Sequence, residues 1–137
     1  MKYPDKYIYP AVFTKDEDGE WEVNFPDIEN GFTAAESLES AILEARYALE
    51  DLLYFTEKGK FSIPEATPID KINAPKGAIV QLVVADMPAV RKEHSQKAIK
   101  KTLSIPAWME DELKKRPDIN VSQVLQKALK QELNLNA

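Results

Sequence analysis

Cysteine is absent from this chain of 137 residues, and histidine occurs only once. Without cysteine the protein can form no disulfide and can use no thiolate in catalysis. A cysteine-free composition also suits a reducing compartment, and we expect a cytoplasmic protein. His94 has neither a cysteine nor a second histidine as a companion, so we expect a solvated side chain rather than a metal ligand or a catalytic base.

Long apolar runs are missing as well. No stretch is long enough to cross a membrane, and the chain does not begin with charged residues followed by an apolar segment, as secretory signals do. We therefore expect no membrane contact, and no motif calls for a cofactor or a resident metal. The length suffices for one domain, or for two small ones, with a buried core.

Charge is distributed unevenly along the chain, whose formal net charge is −5. Residues 1–85 contain 8 Lys or Arg against 16 Asp or Glu, a net −8, whereas residues 86–137 contain 10 against 7, a net +3. An acidic front half joined to a basic back half indicates two functions. Any contact with DNA is expected in the back half.

The residue pattern at the start of the front half predicts β-strands. Aromatic and β-branched residues alternate with other residues over 7–14 and again over 20–25, and an Asp-Gly turn joins these two strands. Pro10 suggests that the first strand lies at an edge or carries an irregularity. A short third strand is expected at residues 32–33.

A helix and a fourth strand complete this half. From Leu38 the apolar residues recur every three or four positions, which predicts an amphipathic helix that ends at Lys58-Gly59. Ser37 is one candidate for its N-cap, and Thr33 with Glu36 is the other. A proline-rich surface loop should follow. Residues 78–85 form an almost continuous apolar run, which predicts a strand covered on both faces. We therefore assign residues 1–85 to a first domain of order βββαβ, an α+β fold.

The chain between residues 86 and 97 is polar and charged and is expected to be a linker that is helical in part. Beyond it, side chains alternate: Lys100, Thr102 and Ser104 share a polar face, opposite an apolar one. No other strand candidate lies nearby, so the expected pairing partner is the same strand of a second copy. A two-stranded ribbon of this kind fits the DNA major groove.

Two short helices are predicted after this strand. Pro106 suits the first helical position, Pro117 ends that helix, and Asn120 caps the next with Gln123 at the capping-box position. Strand and helices together have too few residues for a core of their own. We therefore assign residues 98–137 to a domain that dimerises.

This order of elements, with residues 120–129 (NVSQVLQKAL), resembles the ribbon-helix-helix family of DNA-binding proteins. The resemblance implies that Lys100, Thr102 and Ser104 contact DNA bases. It also implies that the N–H groups around Asn120, Val121 and Ser122 bind a phosphate. The chain departs from the family in the small size of Thr102 and Ser104, so waters and Lys100 are expected to carry much of the readout.

The front half resembles the HicB antitoxin family in residues 9–13 (YPAVF), 23–27 (VNFPD), 31–33 (GFT) and 37–41 (SLESA). Where that family usually has a glycine before the helix, this chain has Ala35 and Glu36. The resemblance implies a reduced ribonuclease-H-like fold. It also implies a HicA-type toxin that acts on mRNA as the partner, bound somewhere within residues 1–85. An acidic domain suits such a small basic protein.

Two further interpretations are open. A metal-dependent nuclease would use the acidic residues Asp16, Glu17, Asp18 and Asp27, although three of these belong to a hairpin tip, where turn formation alone explains them. A repressor could instead sense a ligand or another protein and have no toxin. Trp21 and Phe25 could contact a partner, but their alternation favours burial.

The combined expectation is a non-enzymatic antitoxin. It would neutralise its toxin through the front domain and, as a dimer, repress its own operon through operator DNA. Higher complexes with the toxin would follow from two toxin-binding domains on one dimer.

Overall fold

The computed structural model describes residues 2–135, which form two compact units. The first, called the N-terminal unit below, ends at Lys97, and the second, the C-terminal unit, begins at Ala98. The N-terminal unit is mixed α and β, and the C-terminal unit is helical. No helix within residues 2–135 combines the length and the apolar character needed to cross a membrane.

A four-stranded antiparallel sheet forms the N-terminal unit. Its strands are β1 (Lys6–Lys15), β2 (Trp21–Asn24), β3 (Phe32–Ala35) and β4 (Ile79–Asp86), in the spatial order β3-β2-β1-β4. With helix α1 (Leu38–Lys58) between β3 and β4, the predicted order βββαβ is confirmed.

The core lies between one face of the sheet and α1. Alternate residues of β1 point to this face, and they pack against a row of α1 residues spaced by four. Phe25 is also fully buried there, and Trp21 packs against the cluster in a partly buried position, which confirms the prediction of burial. Each large buried side chain contributes about 1.5–3 kcal/mol to folding. The β1 and α1 members of the core are Tyr7, Tyr9, Ala11, Phe13, Ala41, Ala45, Leu49 and Leu53.

The ends of α1 follow from local chemistry, as predicted. Ser37 has extended backbone angles, and its Oγ accepts a hydrogen bond from the Ser40 N–H at 3.1 Å. At the other end the helix stops at Lys58, and the Gly59 N–H bonds back to the Phe55 carbonyl at 3.0 Å.

The structure refines one expectation about the sheet, for Pro10, and corrects another, for β4. Strand β1 is an inner strand, although β2 pairs only with its second half, from Val12 onward, so at Pro10 only β4 is a neighbour. Strand β4 lies at an edge and is covered on one face only, because the single helix layer lies on one side of the sheet. Leu82 and Val84 therefore remain exposed, together with the neighbouring Ile8 of β1.

The segment expected as a linker is a helix in the structure. Residues Met87–Gln96 form α2, which packs against α1 within the N-terminal unit. Met87 and Val90, one turn apart, are its buried residues, and the Met87 N–H donates to the Asp5 carbonyl at 2.8 Å. Partial helix was expected here, but two apolar anchors in a polar sequence are too weak a signal to predict that the helix packs on α1.

A buried ionic network holds α2 on the N-terminal unit. The carboxylate of Glu57 receives hydrogen bonds from Tyr7 Oη at 2.7 Å and from two nitrogens of Arg91 at 2.8 and 3.0 Å. Burial raises the pKa of Glu57, but the bonds from Arg91 and Tyr7 outweigh it and hold this pKa below its usual value. Burial and the Glu57 carboxylate raise the pKa of Tyr7. Arg91 also donates to the Pro4 carbonyl, so the network joins four segments.

The C-terminal unit contains helices α3 (Ala107–Lys114) and α4 (Val121–Glu132). Residues 98–106, before α3, have no regular secondary structure in the single chain. No residue described in this unit is buried. An arrangement of this kind lacks the apolar burial that stabilises short helices.

Replacing Arg91 by Met should destabilise the N-terminal unit by about 3 kcal/mol, because it leaves the Glu57 carboxylate buried without its counter-ion. Chemical denaturation followed by circular dichroism measures this change. The matched control is Lys115→Met, which breaks the exposed ion pair with Glu112 and should cost less than about 0.5 kcal/mol. Equal stability of the two variants would contradict a structural role for the network.

Candidate partner-binding and nucleic-acid-binding surfaces

An apolar cavity lies on the surface of the C-terminal unit. It measures about 420 Å³ and is open to solvent between the two helices. Val121 and Val124 on its wall are 55% and 58% exposed, and Trp108, outside it, is 63% exposed. So much apolar surface on one small unit is typical of a face that another chain covers. The apolar residues that line the cavity are Ile105, Met109, Leu113, Ile119, Val121 and Val124.

The three side chains predicted to contact DNA bases precede this cavity in the chain. Lys100, Thr102 and Ser104 are all exposed, and the backbone that carries them pairs with no strand within residues 2–135. A strand needs a hydrogen-bonded neighbour, so the ribbon cannot form in a single copy. The predicted role of these residues stays a prediction.

The start of α4 has the predicted cap. Asn120 Oδ1 accepts a hydrogen bond from the Gln123 N–H at 3.1 Å, and the Asn120 carbonyl accepts from the Val124 N–H at 3.0 Å. The N–H groups of Val121 and Ser122 donate to no acceptor in the described residues. They are thus available to an anion, since the first N–H groups of a helix have no partner within it.

Arg116 has a local partner. Its Nε and Nη2 donate to the two carboxylate oxygens of Asp118 at 2.9 and 2.8 Å, between α3 and α4. This bidentate bond raises the pKa of Arg116 and lowers the pKa of Asp118. The pair stabilises the turn between the helices, so Arg116 is less free than the neighbouring lysines to reach a phosphate.

Two of the four acidic residues considered for a nuclease, Asp16 and Asp27, accept structural hydrogen bonds. Asp16 Oδ1 accepts hydrogen bonds from the N–H groups of Asp18 and Glu20, both at 2.9 Å, and so shapes the hairpin turn. Asp27 accepts from the Thr67 N–H at 2.9 Å and from its hydroxyl at 2.6 Å. It thereby fastens the loop after α1. Across residues 2–135 no three Asp, Glu or His side chains are grouped as metal ligands.

His94 is placed differently from the solvated linker residue that we expected. Because α2 packs on α1, its ring stacks on Tyr54 with ring centres 4.0 Å apart and planes 11° from parallel. Its Nε2 lies 3.4 Å from Asp51 Oδ1, and Phe55 meets the ring edge-on. The ring therefore contributes to the contact between the two helices.

Sequence patterns did not reveal the surfaces of the N-terminal unit that could face a partner. On α1, Leu43 and Tyr47 lie off the buried row and remain more than half exposed. On the open face of the sheet, Ile8, Leu82 and Val84 are adjacent in the strand pairing. The sequence does contain one signal for such a surface, the pair Leu43 and Tyr47 spaced by four on α1. The pair marks a surface only once the position of α2 beside it is known.

Comparison with known proteins gives a family for this fold. Residues 8–85 match the family model of the HicB-like antitoxin of bacterial toxin-antitoxin systems. A structure described as a toxin-antitoxin complex from Streptococcus pneumoniae contains a chain of 25% identity and TM-score 0.58, with 93% of this chain and 99% of that chain covered. The antitoxin HicB of Burkholderia pseudomallei is 18% identical over 91% of this chain and 98% of its own, with a TM-score of 0.54, a likeness of fold. No curated protein matches.

Replacing Asp27 by Ala should release the loop that Thr67 belongs to. The loss of two hydrogen bonds should speed amide exchange at Thr67 and reduce stability by about 1–2 kcal/mol. Hydrogen exchange read by NMR measures the local effect. Glu29→Ala, two residues away and exposed, is the control and should leave exchange at Thr67 unchanged. Slow exchange at Thr67 in both variants would show that Asp27 does not hold the loop.

Proposed function

The chain belongs to the HicB-like antitoxin family of bacterial toxin-antitoxin systems, and from this membership we propose that its N-terminal unit binds and neutralises a toxin. The observation that carries the proposal is the position of the family match, since residues 8–85 all lie within that unit. The similarity to a chain from a toxin-antitoxin complex supports it. We take the toxin to be of the HicA type, which acts on mRNA, and the unit to be a reduced ribonuclease-H-like domain.

Charge supports a basic partner for the N-terminal unit. Residues 1–97 contain 11 Lys or Arg against 18 Asp or Glu, a net −7. A net negative charge of this size raises the rate of association with a basic protein and disfavours the binding of acidic competitors. In this proposal the antitoxin acts by covering its partner and performs no catalysis of its own.

The C-terminal unit is proposed as a ribbon-helix-helix domain that dimerises and binds operator DNA. Its apolar cavity and exposed valines give a second copy a surface to cover. Once two copies pair through residues 100–104, the ribbon would present Lys100, Thr102 and Ser104 to the major groove. The free N–H groups of Val121 and Ser122 would then bind a DNA phosphate.

The roles proposed for the two units are together those of an autorepressor. A dimer on operator DNA would hold two toxin-binding units, so toxin binding and repression of the operon would occur in the same complex. This arrangement explains why an acidic protein contains one basic, DNA-facing segment. The chain would work in the cytoplasm, where both its mRNA-cleaving partner and the operator are found.

Replacing Lys100 and Thr102 together by Ala should weaken operator binding at least tenfold and reduce its salt dependence, because each chain loses two DNA contacts, one of them from a cation. Fluorescence anisotropy with DNA from upstream of the operon measures the affinity at fixed salt. The control, Lys130→Ala at the far end of α4, should bind as the unaltered chain does. Size-exclusion chromatography with light scattering should give the same mass for all three proteins. Unchanged DNA affinity in the double variant would remove the ribbon assignment.

Co-expression with the protein of the adjacent reading frame tests the toxin-binding proposal. That protein alone should arrest growth, and the full antitoxin should restore it and co-purify with it. The triple variant Asp16→Asn, Asp18→Asn, Asp27→Asn should still restore growth, since the proposal uses no catalytic carboxylates. Failure of the unaltered chain to restore growth would contradict the proposal, and so would a magnesium-dependent nuclease activity that the unaltered chain has and the triple variant lacks.

A further inference from the structure

A groove in the N-terminal unit lies between α1 and α2. It has a volume of about 510 Å³ and is open along one side. One wall is formed by Leu43 and Tyr47, one turn apart on α1, which are 56% and 55% exposed. Val90 of α2, almost fully buried, forms part of its floor. The groove therefore offers apolar contact area to whatever enters it.

Carboxylates dominate the polar part of the groove. Glu50 and Asp51 of α1 line it together with Asp86 and Glu93 on the α2 side. Arg46 is the one cation among the lining residues, and its Nε already donates to Glu50 Oε2 at 3.2 Å. The groove thus keeps an excess of negative charge between low-dielectric walls, which concentrates its attraction for cations.

Glu50 distinguishes this groove from an ordinary acidic surface. The residue is only 6% exposed, and its Oε2 also accepts from the Asp86 N–H at 2.9 Å, which fixes the carboxylate in place. Within residues 2–135 no hydrogen bond reaches its Oε1. Every fully buried side-chain oxygen in the described chain has a hydrogen-bond partner. Because Glu50 Oε1 has none, it keeps some contact with solvent. A fixed, buried carboxylate with a free oxygen is an acceptor prepared for a cationic donor.

We propose that this groove is the docking site for a Lys or Arg side chain of the protein partner, an inference that rests on the proposed toxin-binding function. The methylene groups of the entering side chain would lie against Leu43 and the ring of Tyr47. Its charged end would reach Glu50 Oε1, with Asp86 and Glu93 as further acceptors. A single metal ion fits this site less well, because half of the lining is apolar and the described acids are not grouped as ligands.

Neither wall needs to move for the partner to enter. The Arg91–Glu57 network and the buried Met87 and Val90 hold α2 against α1 in the free unit, so the groove is already formed. A prepared site avoids the cost of ordering side chains on binding. We therefore place a dominant part of the partner affinity at this groove.

The test is a double variant, Tyr47→Ser with Glu93→Lys, which removes the exposed ring and reverses one charge without touching Glu50. Its matched control is Phe32→Ser with Glu44→Lys, which changes an exposed aromatic and an exposed Glu outside the groove. Isothermal titration with the purified protein of the adjacent reading frame should show binding at least 30-fold weaker for the first and within about threefold for the second. Circular dichroism melting checks that both variants are folded like the unaltered chain.

Exchanging charges between the groove and the partner tests the proposed contact directly. Among Lys→Glu and Arg→Glu variants of the partner, one should bind the Glu93→Lys chain more tightly than it binds the unaltered chain. If the groove variant binds the partner as tightly as the unaltered chain does, the groove assignment is wrong and the proposed function stands. No binding by the unaltered chain would overturn the proposed function itself. A change in the mass of the groove variant alone would show that a second copy occupies the groove, which also overturns the assignment.

Discussion

The C-terminal unit cannot bury its own apolar side chains, and this constraint organises the rest of the account. Every residue described from 98 to 135 retains contact with solvent, although α3 and α4 both carry apolar rows. Helices of 8 and 12 residues are marginal in water unless an apolar face is covered. We propose that a second copy of the same unit covers this face, because it would also supply the missing partner for the strand proposed at Lys100.

The N-terminal unit is organised in the opposite way. Its aromatic core lies between the sheet and α1, and the buried Glu57–Arg91 pair extends it over α2. The compact N-terminal unit therefore ends at Lys97 rather than at the end of β4. This unit has a buried core and can present fixed surfaces to a partner, among them the groove beside Tyr47. We propose that the other unit takes its final form only in a pair.

Local signals in the sequence determine the elements well. Ser37 and Gly59 limit α1, Asn120 caps α4, and alternation places β1 and β2, because each depends on neighbours within a few residues. The uncovered face of β4 could not be predicted, since an apolar run does not tell how many helix layers a sheet has. The helix around Val90 and the stacked His94 depend on packing against α1, which no local pattern encodes. The ribbon that we propose would depend on a second chain, which the pattern of one chain can only suggest.

Sedimentation equilibrium of the full chain, over a wide range of concentrations, tells whether a second copy completes the C-terminal unit. We predict a species of twice the chain mass of 15.5 kDa that persists to low micromolar concentration. We also predict a smaller mass when Val124 and Leu129, exposed on α4, are replaced by Ser. A monomer at every concentration would contradict the claim that the C-terminal unit is completed by a second copy.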